Sequence, residues 1–238
     1  MNIDPATLGA LIAAFIRASA LAATAPVVGD TATPIRARLA FVIAITIGVG
    51  LNRPGVPLGE LPMVVVLELA SGLIIGATAR FTLAKVAIAG QLMGLSLGLG
   101  FAAAYDPHAE ESAGTIRTML STVAALVFLG SGGLEAIFRS VAASPTSVTD
   151  VAFLGPELVR AATSAMGHGL ALAGPIVLAS LVTNVGLAVM NRAAPAVNVF
   201  SISLPAVLIL GGIVMLATSG TLFAGITDVA RRAVAVFG

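Results

Sequence analysis

The chain contains no cysteine and no tryptophan, a single tyrosine, Tyr105, and two histidines, His108 and His168. Without cysteine there is neither a disulfide framework nor thiolate chemistry. Neither histidine has a second ligand at metal-binding spacing, so no metal site is expected. No serine, histidine and carboxylate are arranged as nucleophile and base, so the expectation is a protein that is not an enzyme and needs no cofactor. Charge is scarce: Asp, Glu, Lys and Arg make up 10% of the chain, against about a quarter in soluble domains. The net charge is +1, and the basic residues are scattered singly, which argues against a nucleic-acid surface. With so few aromatics no membrane-interface belt can be drawn. Strand signals are missing too.

What is present in quantity is hydrocarbon. Hydrophobic residues are 58% of the 238, and the mean hydropathy is +1.07. These values predict one integral membrane domain over residues 1–238, all-α, built of helical hairpins from six or seven apolar segments. Glycine and proline together number 38, enough to bend or interrupt several of them.

Residues 86–105 are uncharged and long enough to cross a bilayer as a helix. Gly90, Gly94 and Gly98 recur every fourth position there, a small-residue pattern that lets a second backbone approach closely. Asp106-Pro107 is expected to stop that helix, because the residue before proline is pushed out of the α region. The polar stretch 106–117 follows, with His108, Glu110, Glu111, Gly114 and Arg117. Two readings stay open: helix packing followed by a solvated turn, or a loop standing in or near a passage.

Upstream, residues 7–25 form a first apolar segment with Arg17 at its middle. A central arginine costs roughly 2.5–3.5 kcal/mol on insertion scales, so it should face protein or water. Residues 26–38 read as a loop, 39–51 as an apolar run too short to span unless 35–38 extend it, and 52–62 as a proline- and glycine-rich loop. Residues 63–81 carry Glu68 near their start, and Arg80 and Lys85 close that segment.

Downstream, 119–134 is apolar, and Glu135 and Arg139 are spaced as an i,i+4 ion pair. Residues 140–156 read as the most polar connection. A long helical stretch, 157–190, has candidate breaks at Gly167, Gly169 and Gly174-Pro175. The charge-free run 193–227 is interrupted by Pro195 and Pro205, and Arg231 and Arg232 point to a cytoplasmic C-terminus. Polar residues inside apolar segments (Arg17, Glu68, Gln91, Asn184, Asn198) suggest helices surrounded largely by other protein.

Several stretches together carry a resemblance: 89–107 with Phe101 and Asp106-Pro107, 68–81, the early Arg17, Pro26, Pro34, Arg36 pattern, and Arg192, Pro195, Asn198, Phe200, Pro205 in that order. Over almost its full length the chain resembles the FliR family of flagellar biosynthetic proteins, whose type III secretion relatives are called SctT. It departs from many members at Gly130-Ser131-Gly132-Gly133, where they carry a histidine cluster, so no role tied to that histidine transfers.

The resemblance implies a subunit of an export gate in the bacterial inner membrane, within the flagellar basal body. Such a subunit occurs once per complex and packs with FliP-like, FliQ-like and FlhB-like chains around a pore for unfolded flagellar export substrates. It also implies that residues 106–117 are the plug of that pore, with Phe101 and Tyr105 near the constriction. Arg17, Glu68, Arg192 and Asn198 would then be buried or inter-subunit polar groups. Membrane lipid is the remaining partner expected. Two alternatives stand beside it: the equivalent subunit of a virulence injectisome, and a secondary transporter of a small solute, since broken helices also build midplane sites. No inverted repeat supports the transporter.

Overall fold

The computed structural model describes residues 4–31, 33–99, 110–142, 147–194 and 199–237, without the side chains of 110–113, 199 and 200. Among them are eight α-helices and no strand. They are α1 (Pro5–Thr24), α2 (Ile35–Gly50), α3 (Leu61–Ser96), α4 (Glu110–Gly130), α5 (Gly133–Ala142), α6 (Val148–Ala193), α7 (Val199–Ala217) and α8 (Ser219–Ala235). Helices α1, α3 and α6 are each long and apolar enough to cross a membrane; the bent pairs α4/α5 and α7/α8 add up to two more spans.

The chain divides into two units, one made of Met1–Leu83, Ala125–Ser164 and Ala230–Gly238, the other of Ala84–Ala124 and Ala165–Val229. In the first, α1 begins with Pro5, whose fixed φ suits a first helical turn. It ends where Ala25 turns extended before Pro26. Its buried face is mostly small (Gly9, Ala10, Ala13, Ala14, Ala18), so α2 can lie close against it. Around that pair gather Leu21, Val42, Ile45, Phe128, Ile137 and Phe237. The rings of Phe128 and Phe237 meet at 6.2 Å.

The α1–α2 turn is held by arginines. Arg38 donates to the carbonyls of Val28 (3.1 Å) and Asp30 (2.9 Å), and Arg80 reaches the carbonyl of Gly29 at 3.5 Å. Val27 sits at φ +68°, a costly conformation for a β-branched residue. The hydroxyl of Thr33 fixes it by donating to the Val27 carbonyl at 2.7 Å.

In the second unit Val86, Ala89, Met93 and Leu97 of the α3 region pack with Leu120, Ala173, Ile176, Val207 and Ile226. Gly90 is the point of closest approach: a Cβ there would stand 2.6 Å from the Arg117 Cα. Helix α3 then stops in a Schellman arrangement, with Leu99 N–H on the Gly94 carbonyl and Gly98 N–H on the Leu95 carbonyl, both 3.1 Å. Gly98, at φ +76°, supplies the left-handed residue that this stop needs.

The element boundaries differ from the sequence reading at several points. Residues 63–81 and 86–105 were expected as separate spans with a stop at Asp106-Pro107; instead α3 is continuous from 61 to 96, through Arg80 and Lys85. Lys85 is buried with its long apolar stem, so it does not end the helix. Gly98 therefore lies beyond the helix face shared by Gly90 and Gly94. Residues 110–117, read as the second half of a polar loop, are the first two turns of α4, because glutamates are well placed at a helix N-terminus. Helix α6 begins at Val148, inside the stretch 140–156 that reads as a connection, because Ser147 and Asp150 cap its start, and it runs unbroken through Pro156, Gly167, Gly169, Gly174 and Pro175 to Ala193. Pro205 likewise sits inside α7, and the real break is the 65° bend at Thr218. Residues 35–38 do extend the short apolar run, giving α2.

Candidate functional site

Two helices and a loop of the first unit bring three charges together in its interior. Arg17 comes from the middle of α1, Glu68 from the second turn of α3, and Arg53 from the loop after α2. The loop is fixed over α1 by the Val56 N–H bonded to the Ala6 carbonyl at 2.9 Å. Glu68 is 0% exposed, and the two arginines are 4% and 6% exposed. Arg53 Nη2 donates to Glu68 Oε1 at 2.9 Å. Arg17 Nε lies 2.6 Å from Glu68 Oε2, a charge contact whose N–H does not point along it. Arg17 also donates to the Ser140 carbonyl (2.9 Å) and to Ser71 Oγ (3.4 Å). Ser71 in turn donates to the Glu68 carbonyl at 3.1 Å. The cluster thus ties α1, α3, α5 and the loop after α2 to one carboxylate.

Chemically this arrangement is a structural clamp. Both oxygens of the carboxylate are already committed to cations, so it offers no free base. Arg53 Nε and Nη1 find no acceptor among the described residues. The cluster holds two cations and one anion, so it is over-charged as well as buried.

Arg17 and Glu68, expected as buried or inter-subunit polar groups, are both buried; the sequence reading does not join them, and it misses Arg53. The signal for Arg53 was faint, a lone arginine between Asn52 and Pro54 in what reads as an exposed loop. Arg192 is exposed on α6. Asn198, Phe101, Tyr105, Asp106, Pro107 and His108 lie outside the described residues. Glu110, Glu111, Gly114 and Arg117 belong to α4, with Arg117 exposed beside Gly90. The Glu135–Arg139 pair forms as expected, at 2.8 Å on the surface of α5. Among the described residues no three His, Asp or Glu side chains are grouped for a metal ion.

The second unit carries a cleft of about 490 Å³ between α4 and the α7/α8 bend, lined by Met119, Val123, Met215, Leu216, Leu222 and Phe223 among others. Its wall is almost entirely hydrocarbon. Ser219 is the one hydroxyl-bearing residue among those that line it, and it can seat apolar chains.

Helices this long and this apolar, with a charge clamp in the interior of the first unit, describe a membrane protein. The comparisons with known proteins specify which. The family described as "Bacterial export proteins, family 1" matches residues 8–233, and the chain belongs to that family. Among its relatives is the flagellar biosynthetic protein FliR of Caulobacter vibrioides, 30% identical over 211 residues, which are 83% of each chain. FliR of Pectobacterium carotovorum is 30% identical over 83% of this chain and 79% of its own. FliR of Escherichia coli is 29% identical over 82% and 78%.

Proposed function

We propose that the chain is the FliR-like subunit of a flagellar protein export gate in the bacterial inner membrane. It is a non-enzymatic component that packs with FliP-like, FliQ-like and FlhB-like chains around a passage for unfolded export substrates. Family membership supports the export role. The observation that favours assembly is α6. Its 46 residues amount to roughly 69 Å of helix, more than twice the ~30 Å hydrocarbon thickness of a bilayer. Large apolar side chains stay exposed along it from Phe153 (78%) to Val189 (63%). Lipid cannot cover that length, and water should not. Other protein is the occupant left, which a self-contained solute transporter would not need.

The charges of the first unit support an orientation. Its α1–α2 end carries Arg36, Arg38 and Arg80 against Asp30, while the opposite end presents Asp4 and Glu60, its Arg53 being paired internally. By the positive-inside tendency the α1–α2 turn faces the cytoplasm. Arg231 and Arg232 carry the same excess at the C-terminus. The plug reading is retained in narrower form: the segment joining α3 to α4, with Phe101, Tyr105 and Asp106 in it, is proposed as the barrier within the passage.

The test is expression with and without the neighbouring flagellar membrane export proteins. The chain should be degraded or polydisperse alone and should co-purify as a stable complex with them. A stable, monodisperse chain that gains nothing from those partners would overturn the assembly reading.

A further inference from the structure

We propose that the outward face of α2 binds one anionic phospholipid, with the phosphate on Arg36 and an acyl chain laid along the helix toward Gly48. Two adjacent columns at four-residue spacing build this face. Ile35, Leu39, Ile43 and Ile47 form an exposed apolar ridge. Beside it Arg36, Ala40, Ala44 and Gly48, also exposed, form a shallow furrow headed by a cation. Phe138 of α5, itself exposed, closes the far end, its ring 3.6 Å from where a Gly48 Cβ would stand.

Three observations point to a lipid phosphate at the head of the furrow. Arg36 makes no side-chain hydrogen bond or ion pair among the described residues. Pro34 at the N-cap supplies no side-chain acceptor, so the first-turn amides of α2 add their partial positive charge to the guanidinium. Arg38, two residues on, points to another side of α2, where it is bonded to the α1–α2 turn; it adds positive charge at this end of the helix, with Asp30 opposing it.

Length then selects lipid over protein for the rest of the face. From Ile35 to Leu51 the ridge covers roughly 24 Å, within the ~30 Å that hydrocarbon can cover, which is not true of α6. A phospholipid presents its groups in the same order as the furrow: an anion at the interface, then uninterrupted hydrocarbon.

The experiment uses the full chain in nanodiscs containing equal phosphatidylglycerol and phosphatidylcholine, with retained lipid counted by native mass spectrometry. The full chain is taken alone or in complex with the flagellar export proteins, whichever form purifies, and headgroup preference is read separately from subunit retention, so a failure here is distinguishable from a failure of the assembly reading on which the preparation rests. Phosphatidylglycerol should be retained over phosphatidylcholine. Arg36→Gln should weaken retention about fivefold, the effect of one basic residue beside an anionic membrane. Ala44→Phe, which fills the furrow at an exposed site, should weaken it as well. Arg160→Gln, at an exposed arginine paired with Glu157, should leave it unchanged. Circular dichroism would confirm that each variant keeps its helices. Equal retention of the two lipids, or no response to Arg36→Gln, would overturn the site. Retention that survives Ala44→Phe, or that inorganic phosphate displaces, would reduce it to a bare anion contact and equally overturn the proposal. A protein adduct captured by a crosslinker on Ala40→Cys in native membranes would give the face to a protein instead.

Discussion

Removing the single carboxylate of the buried cluster, by Glu68→Gln, should be among the most damaging isosteric changes in the chain. Glu68 is fully buried and touches two guanidinium groups at 2.6 and 2.9 Å. At an effective dielectric constant of about 20, each contact is worth roughly 6 kcal/mol of gross attraction. Most of that offsets desolvation, which costs several kcal/mol for each of the three ions. The glutamine keeps the shape and one acceptor but leaves two buried cations facing each other without the buried charge that bridges them, the exposed Asp150 acting on Arg17 from solvent. The expected loss is about 3–5 kcal/mol, read as a lowered midpoint in denaturation of the full chain, alone or in its complex, followed by helical circular dichroism. The clamp should behave in the opposite way when removed whole. Arg17→Met, Glu68→Leu and Arg53→Met together should recover most of the loss, because the triple variant also removes the two Arg53 nitrogens that lack acceptors. A Glu68→Gln variant within about 1 kcal/mol of wild type, or a triple variant no better than the single one, would refute the over-charged clamp.

Three further outcomes are expected. Gly90→Ala forces a methyl against the Arg117 backbone and should cost about 1–3 kcal/mol, whereas Gly167→Ala, with open space around it, should be neutral or gain up to about 1 kcal/mol; thermal melts of both variants compare them directly. Glu135→Gln breaks an ion pair whose partners are 71% and 68% exposed, so stability should move by less than about 0.5 kcal/mol in the same melts, and a larger drop would show that the pair has other partners. The chain has no native cysteine, so single cysteines report orientation cleanly: a membrane-impermeant maleimide on spheroplasts should label Gly59→Cys but reach Thr31→Cys only after permeabilisation, and the reverse pattern would invert the proposed orientation.

The helical class, the presence of Arg17 and Glu68 in the interior, and the Glu135–Arg139 pair were legible in the sequence because each rests on a local rule. Composition sets the class, cost sets the burial of an in-span charge, and i,i+4 spacing sets the surface pair. The errors came from the same local rules applied where context wins. Arg80 and Lys85 look like the end of a span, yet an apolar stem lets Lys85 be buried within α3. Glu110 and Glu111 look like a loop, yet two glutamates also suit a helix start. Gly98 continues a four-residue spacing but acts as a left-handed stop, which depends on φ and not on spacing. The partnership of Arg53 with Glu68 spans 15 residues and a change of direction, so nothing along the chain announces it.

The arginine-held turn between α1 and α2 has a consequence for how this protein comes to be where it is. Irregular backbone needs water to occupy its carbonyls, and inside a bilayer water is what is missing. Here the carbonyls of Val28, Gly29 and Asp30 receive guanidinium N–H groups and that of Val27 a hydroxyl, all from the chain itself. The hairpin therefore carries its own hydration shell in covalent form. Its bend stays satisfied whether it stands in water, at the headgroups or against another protein, so α1, α2 and the part of α3 that carries Arg80 form a portable piece, able to change surroundings during assembly without refolding the turn.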